Sequence, residues 1–276
     1  MKQGKALKHN IGIAKWYNDE LQTMCKVMFD NTKNEIMPLF VKYNDVAMDS
    51  ISFDFTTTIN KLIKRFKEYY LRYGEKLAKR FLERQLKYTR LSVKKAIEPL
   101  LKKDVKYTLK GKLVTDTNKD IVKLAIYNNV SLITSIPDQY FKDIIGIVTR
   151  SIEYGANIQQ IKEQLMNIEG VTERRAKLIA YDQTRKIYSA LAVQQVKDAG
   201  FNKVKWLHSN GDKIPRCLHV KKWDRVSEPP NGLNGYVFDI NKPPVIQKAK
   251  GTRPEVRGFP GELINCKCFL APVIED

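Results

Sequence analysis

The sequence contains no run of about twenty apolar residues, so it predicts no helix that spans a membrane. Its first ten residues, MKQGKALKHN, lead into no continuous apolar segment, and no secretory signal peptide is expected. Only four cysteines occur in 276 residues, too few and too unevenly placed for a secreted disulfide scaffold. We therefore expect the protein to fold in a reducing cytoplasm.

Several catalytic motifs are also missing. The chain has neither the glycine-rich loop of P-loop nucleotide-binding proteins nor the G-x-S-x-G turn of serine hydrolases. It also lacks the usual cluster of acidic residues that holds Mg²⁺. These absences argue against the common nucleotide-hydrolysing and esterase classes.

Acidic residues are scarce relative to basic ones: 49 Lys and Arg stand against 30 Asp and Glu, a net charge of +19. The stretch from Lys61 to Lys112 holds eighteen basic and five acidic residues, a net of +13. Such a charge attracts polyanions and speeds association with them. Nucleic acid is thus the first expected partner and an acidic protein surface the second. An inert basic surface is the remaining alternative.

Residues 1–115 are predicted to form a basic helical region, because no glycine occurs between Gly12 and Gly74. Apolar residues recur there at intervals of three and four, as on one face of a helix, at Leu62, Phe66, Tyr69, Tyr73, Leu77 and Phe81. Cations fill most other positions, and the candidates for contact with DNA or an acidic partner are Lys61, Lys64, Arg65, Lys76, Lys79, Arg80 and Arg84. The alternative is a solvated helix face without a partner.

Residues 116–202 are predicted to be a second helical region, with a boundary near Thr115. The segment Ser135–Asp138 is interpreted as a break between two helices, with Pro137 in the first turn of the second one. Gly155 is predicted to end that second helix.

Two further helices are predicted before the C-terminal region. A short one covers about 158–168, and another begins after a break at Gly170, with Thr172 as its N-cap. Gly200 is placed to end the latter. Gln183 falls on its predicted apolar face, where a buried amide needs a hydrogen-bond partner.

Residues 203–276 hold most of the prolines and predict a small, loop-rich, mixed module. Short β-like segments lie at about 203–207, 236–240 and 269–273. The fold class is therefore mainly α, with helical N-terminal and middle regions and a small α+β C-terminal module. Such a module has little core of its own and needs the preceding helices or a cross-link.

The cysteine and histidine residues of this module offer three interpretations. Zinc bound by Cys217, His219, Cys266 and Cys268 would staple the module. A disulfide between Cys266 and Cys268 would close a strained small ring. The interpretation we favour is two small buried side chains with Lys267 pointing outward, and with Asn265 and Pro260-Gly261 shaping the turn before them.

His219 also permits an enzymatic alternative. If residues 212–219 form a helical turn, Asp212 and Arg216 make an ion pair beside His219. With a bound metal, His219 would then act as the general base of an HNH-like nuclease, and the basic N-terminal region would hold the DNA.

Three segments together carry a family resemblance: NVSLITSIPDQYFKDI (129–144), AYDQTRKIYSALAVQQVKDAGFNKVKW (180–206), and SNGDKIPRCLHV followed by PGELINCKCFLAPV. Over roughly 119–273 the chain resembles the phage head-morphogenesis family typified by the Mu protein F-like minor head proteins. The family's motif positions fall on Asp182, Gln183, Thr184, Trp206, Asp212, Arg216, His219, Pro260, Gly261, Asn265, Cys266 and Cys268.

The resemblance implies a minor capsid protein that acts by binding rather than catalysis. It implies low copy number, association with the portal protein or the capsid interior, and, for some members, contact with DNA. The protein would be assembled in the host cytoplasm and reside in the virion. No cofactor is required on this interpretation, and a structural zinc ion is the one candidate.

Overall fold

The computed structural model describes residues 1–39, 48–101, 116–154, 158–211 and 215–274. The predicted fold class is confirmed, because long helices are followed by a small module that contains the strands. The helices are α1 (Ile11–Asn31), α2 (Met48–Ile97), α3 (Asp116–Tyr154), α4 (Ile158–Asp198) and α5 (Cys217–Val220), with a π-helical turn at Thr32–Ile36 and a 3-10 turn at Glu98–Leu100. Within the described ranges, no helix combines the length and apolarity needed to cross a bilayer.

The chain forms two compact units that alternate along the sequence. The first unit contains Met1–Ile13, Leu82–Ala125 and Asp182–Asp276, and the second contains Ala14–Phe81 and Ile126–Tyr181. The division at 115 and 202 stays a prediction, and Thr115 itself lies outside the described residues.

Aromatic side chains from three helical segments form the core of the second unit. The Tyr17 and Phe81 rings stack with centroids 4.1 Å apart, and those of Phe66 and Phe141 stack at 5.5 Å. On α2 the buried stripe runs through Ile59, Ile63, Phe66, Tyr70, Leu77 and Phe81. The predicted stripe was therefore wrong at Tyr69, which is exposed, and its place is taken by Tyr70, one residue further along.

The predicted break at Ser135–Asp138 is wrong, because α3 continues through Pro137. A proline inside a helix costs about 3 kcal/mol or more, since it removes one hydrogen bond and crowds a carbonyl. Buried residues continue on one face across this point, at Ile133, Ile136, Tyr140 and Ile144. Burial of this stripe offsets the cost of the proline. The helix ends at Tyr154, directly before Gly155, which lies outside the described residues.

The predicted break at Gly170 is also wrong, because α4 is a single helix. The Thr172 hydroxyl donates to the Ile168 carbonyl at 2.8 Å, so it bonds back along the helix instead of capping a new one. A glycine inside a helix costs only about 1 kcal/mol relative to alanine. Buried Leu165 and Ala176 on either side of Gly170 stabilise the continuous helix.

The end of α4 follows the prediction. Gly200 has φ +83, its N–H donates to the Lys197 carbonyl at 2.8 Å, and the Phe201 N–H donates to the Val196 carbonyl at 3.2 Å. These two bonds are those of a Schellman motif with Gly200 at C′. Gln183, in contrast, is only half-buried, and its neighbours Asp182 and Thr184 are buried instead.

The first unit contains an antiparallel sheet with strand order β1-β6-β2-β3 and a separate pair, β4-β5. The strands are β1 (Lys2–Gln3), β2 (Lys203–Leu207), β3 (Val237–Asp239), β4 (Val245–Gln247), β5 (Val256–Arg257) and β6 (Phe269–Ile274). The three segments predicted to be strands are confirmed as β2, β3 and β6. In the β2–β6 register, Trp206 is opposite Leu270 and Leu207 is opposite Phe269.

The exchange of Tyr69 for Tyr70 in the core can be tested with a matched pair of variants. Tyr70 is fully buried and its hydroxyl accepts a hydrogen bond from Asn31, whereas Tyr69 is 51% exposed. We expect Tyr70→Ala to lower the free energy of unfolding by about 3–5 kcal/mol and Tyr69→Ala to lower it by less than about 1 kcal/mol. Urea unfolding followed by circular dichroism measures both, and equal losses would contradict this packing.

Candidate functional site

Three side chains predicted as zinc ligands converge in the core of the first unit. The Cys266 sulfur lies 3.6 Å and the Cys268 sulfur 3.9 Å from His219 Nδ1. All three residues are buried, with exposed fractions of 2%, 6% and 2% for Cys266, Cys268 and His219. His219 comes from α5, and both cysteines come from the segment that leads into β6. Residues 47 positions apart in sequence therefore meet at one point.

The His219 ring is held from its other side. Nε2 lies 3.0 Å from the Ile246 carbonyl oxygen, which can only accept, so Nε2 carries the proton and donates. Nδ1 is then the nitrogen with the free lone pair, and it faces the two sulfurs. The Trp206 indole packs edge-on against the imidazole, with ring centroids 4.9 Å apart. This packing fixes the ring in the orientation that directs Nδ1 at the cysteines.

The segment before β6 is shaped by two residues with positive φ, Gly261 at +89 and Asn265 at +61. Glycine takes this conformation without strain, and asparagine tolerates it better than most residues. Gly261 N–H donates to the Cys266 sulfur at 3.4 Å, and the Pro260 carbonyl accepts from the Ser189 hydroxyl at 2.6 Å. The prediction that Pro260-Gly261 and Asn265 shape this turn is confirmed.

The side-chain pattern predicted around the two cysteines is also confirmed. Lys267 points away from the buried pair, and its ammonium group donates to the Gly211 carbonyl at 2.6 Å. The backbone from Cys266 to Cys268 is not a strand, since β6 begins at Phe269. Both cysteines are free thiols, not a disulfide.

The contact between the two thiols shifts their pKa values in opposite directions. Hydrogen bonding from the Cys268 thiol lowers the pKa of the Cys266 thiol well below its usual range. The same contact with Cys266, together with burial, raises the pKa of Cys268. The nearby Trp206 indole N–H opposes this rise in the pKa of Cys268. Among the described residues, however, this N–H makes no hydrogen bond of ordinary geometry. Of the two thiols, Cys266 is therefore the one that ionises more readily.

Two other predicted members of the site lie elsewhere. Cys217 is exposed and does not belong to the group formed by His219, Cys266 and Cys268. Arg216 has an extended backbone because α5 begins only at Cys217, so the predicted helical turn over 212–219 is wrong. The Arg216 guanidinium donates instead to the Ile264 carbonyl at 2.9 Å. Asp212 lies outside the described residues.

The remaining motif residues have structural contacts around the cluster. The Asp182 carboxylate accepts from the Asn265 N–H at 3.4 Å and pairs with Lys186 at 2.8 Å. The Thr184 carbonyl accepts from the buried Gln85 amide at 3.2 Å. The Asp182–Asn265 contact attaches the segment that carries the cysteines to α4, and the Gln85–Thr184 bond joins α2 to α4.

His208 is a neighbour of the cluster that the sequence analysis missed. Its Nδ1 lies 3.5 Å from the Cys268 sulfur. The signal was present in the strand pairing, because β2 ends at Leu207 opposite Phe269. In an antiparallel pair, the residue after Leu207 faces the residue before Phe269. Predicting that register would have placed His208 beside Cys268.

The cationic face predicted on α2 consists of exposed side chains. Lys61, Lys64, Arg65, Lys76, Lys79, Arg80 and Arg84 are all exposed. Arg65 pairs with Glu35, and Arg80 pairs with Glu20 at 2.9 Å and lies over the Trp16 ring. In the part of the chain that the structure describes, Lys61, Lys64, Lys76 and Lys79 have no acidic partner. Four lysines on one helix are therefore available to a polyanion.

The placement of the four cysteines predicts their reactivity. Cys217 is exposed, whereas Cys25, Cys266 and Cys268 are buried. We expect a water-soluble disulfide reagent to modify one thiol rapidly in the native protein and four in denaturant, because thiolate attack needs access as well as ionisation. The variant Cys217→Ser should lose the rapid phase, and rapid modification of Cys266 or Cys268 would contradict the burial.

Comparison with known proteins bears on the same region. Residues 142–271 match the family model described as Phage Mu protein F like protein. The motif residues from Asp182 to Cys268 fall inside the match, whereas the first quoted segment begins before it.

The chain is also similar to an uncharacterized protein of Haemophilus influenzae, which is 26% identical over 148 residues. The aligned region is 54% of this chain but only 28% of the relative, so the chain spans well under half of the relative's length. No solved structure matches the chain. Over residues 142–271, just under half of the chain, the sequence is thus similar to the Phage Mu protein F like family, which is related to phage heads.

Proposed function

We propose that this protein is a minor head protein that acts in phage head morphogenesis by binding and not by catalysis. The single observation that carries the proposal is the family match over residues 142–271. The motif residues in that range hold the C-terminal module together, as the contacts of Asp182 with Asn265 and of Arg216 with Ile264 illustrate. A rigid module of this kind suits a protein whose role is to present a surface to an assembly.

Burial of the Cys/His cluster favours this role over the nuclease alternative. A general base must come within hydrogen-bond reach of the water or hydroxyl that it activates. His219 is 2% exposed, its Nε2 already donates to Ile246, and its Nδ1 faces two sulfurs. A phosphodiester group would reach this imidazole only if the core opened.

The expected partners are the portal protein, the capsid interior and packaged DNA, at low copy number in the virion after assembly in the host cytoplasm. The exposed lysines of α2 support the DNA contact, since they supply sequence-independent attraction to phosphates. A protein partner with an acidic surface would use the same lysines.

The assembly role predicts where the protein is found. In lysates of cells infected by the phage that encodes this chain, we expect the protein to co-purify with phage heads. Its copy number there should be far lower than that of the major capsid protein. It should also be retained by immobilised portal protein. Quantitative mass spectrometry of purified heads and the portal pull-down measure the two outcomes. Absence from both would contradict the proposal.

The DNA contact predicts steep salt dependence. Binding to random-sequence duplex should fall by orders of magnitude between about 50 and 200 mM salt, with no sequence preference. Replacing Lys61, Lys64, Lys76 and Lys79 by Gln should weaken binding and reduce the slope of log K against log salt by up to about 4, at roughly 0.9 per lost phosphate contact.

A matched control removes the same charge elsewhere. Lys222, Lys242, Lys248 and Lys250 are also exposed, and their replacement by Gln should leave the slope closer to that of the unchanged protein. Equal losses from both variants would show that net charge, not the α2 face, determines binding. Metal-dependent nicking of plasmid DNA that disappears in His219→Ala would instead support the nuclease.

A further inference from the structure

We propose that Cys266, Cys268, His219 and His208 form a structural zinc centre, with His208 in the place that sequence alone gave to Cys217. The proposal concerns a site within the first unit and does not depend on the role in phage heads. It rests on the spacing of the ligand atoms, the orientation of His219 and the pairing of β2 with β6.

Three of the ligand atoms, those of His219, Cys266 and Cys268, lie within 4.8 Å of one another, whereas His208 lies outside that group and contacts Cys268. Zinc bonds of about 2.3 Å to sulfur and about 2.0–2.1 Å to nitrogen place tetrahedral S and N ligands about 3.6 Å apart. The observed S···N distances are 3.6 Å from Cys266 to His219, 3.9 Å from Cys268 to His219, and 3.5 Å from Cys268 to His208. His219, Cys266 and Cys268 would need only small adjustments to share one ion, and the His208 ring would have to move toward them to complete the set.

Hydrogen bonds alone account less well for this arrangement. His219 Nδ1 has one lone pair and accepts one S–H, yet two sulfurs lie close to it. A metal ion bound to that lone pair would also bind both sulfurs. His219 Nε2 donates to the Ile246 carbonyl, which is the outer contact that metal-bound imidazoles typically make to fix their tautomer.

The single residue between the two cysteines is no obstacle in this fold. Lys267 turns outward to the Gly211 carbonyl, so both sulfurs face the same side. The Gly261 N–H donates to the Cys266 sulfur, a contact that stabilises a thiolate. The positive φ at Gly261 and Asn265 creates the turn that makes this possible.

The charge balance also suits a buried site. Zinc binding would release the two thiol protons to solvent and leave two thiolates and two neutral imidazoles around a divalent cation. The net charge of the centre is then zero, so that no uncompensated charge is buried. Thiolate and imidazole ligands in a tetrahedral set favour zinc over Mg²⁺ or Ca²⁺, which prefer oxygen.

The full-length protein, purified without a histidine tag and without chelator, tests this centre. We expect about one equivalent of zinc by elemental analysis, and after its removal about one equivalent of Co²⁺ bound with the intense visible absorption of a tetrahedral thiolate site. Less than about 0.2 equivalents of zinc, together with no such cobalt spectrum, would overturn the proposal.

Variants identify the ligands. Cys266→Ser and Cys268→Ser should each weaken Co²⁺ binding by more than the roughly 10–100-fold typical of outer-shell changes, with loss of thiolate absorption. His208→Gln, at the half-buried edge of the site, should weaken binding and alter the visible spectrum while the far-UV circular dichroism stays unchanged. Cys217→Ser is the matched control and should retain full metal content.

Two outcomes would refute the ligand set. Loss of metal in Cys217→Ser would show that Cys217 is a ligand, as predicted from the sequence, and that His208 is not. An unchanged cobalt spectrum and affinity in His208→Gln would also exclude His208. If a cysteine variant fails to fold, the unchanged protein still decides whether a centre exists, because zinc removal should lower its unfolding temperature and zinc readdition should restore it.

Discussion

The fold of the first unit depends on one shared hydrophobic core, because the C-terminal segment cannot build a core alone. Its strands are short, and β3, β4 and β5 contain only two or three residues each. Their apolar side chains are buried together with those of two helical segments. The helices contribute Val93, Ala96, Ile97, Tyr188, Ala192 and Val196, and the strands contribute Val204, Trp206, Phe238 and Leu270. Such a sheet is stable only while packed on these helices.

The Cys/His cluster belongs to that core, which determines how its chemistry is to be understood. Polar atoms in a core are stable when they are fully paired, and a thiolate is stable there when its charge is compensated. The cluster meets part of these demands through the Ile246 carbonyl and the Gly261 N–H, and the proposed zinc ion would supply the compensating charge. The Cys/His cluster is buried and stabilises the fold. The lysines of α2, in contrast, are exposed and available to partners.

Much of this architecture could be predicted from sequence where local patterns decided it. The strands β2, β3 and β6 and the cap at Gly200 follow from alternation, turn residues and a required positive φ. The failures arose where tertiary packing outweighed local preference. Pro137 and Gly170 lie inside helices because buried stripes continue past them, and Tyr70 displaces Tyr69 through a shift of one residue. His208 was missed because its role depends on strand register.

Zinc K-edge X-ray absorption of the purified protein tests the central claim most directly, since it counts the atoms bound to the metal without altering the chain. A centre in this core predicts two sulfur atoms at about 2.3 Å and two imidazole nitrogens at about 2.0–2.1 Å. A first shell without sulfur would contradict it. Three sulfurs and one nitrogen would show that Cys217 takes the position assigned here to His208.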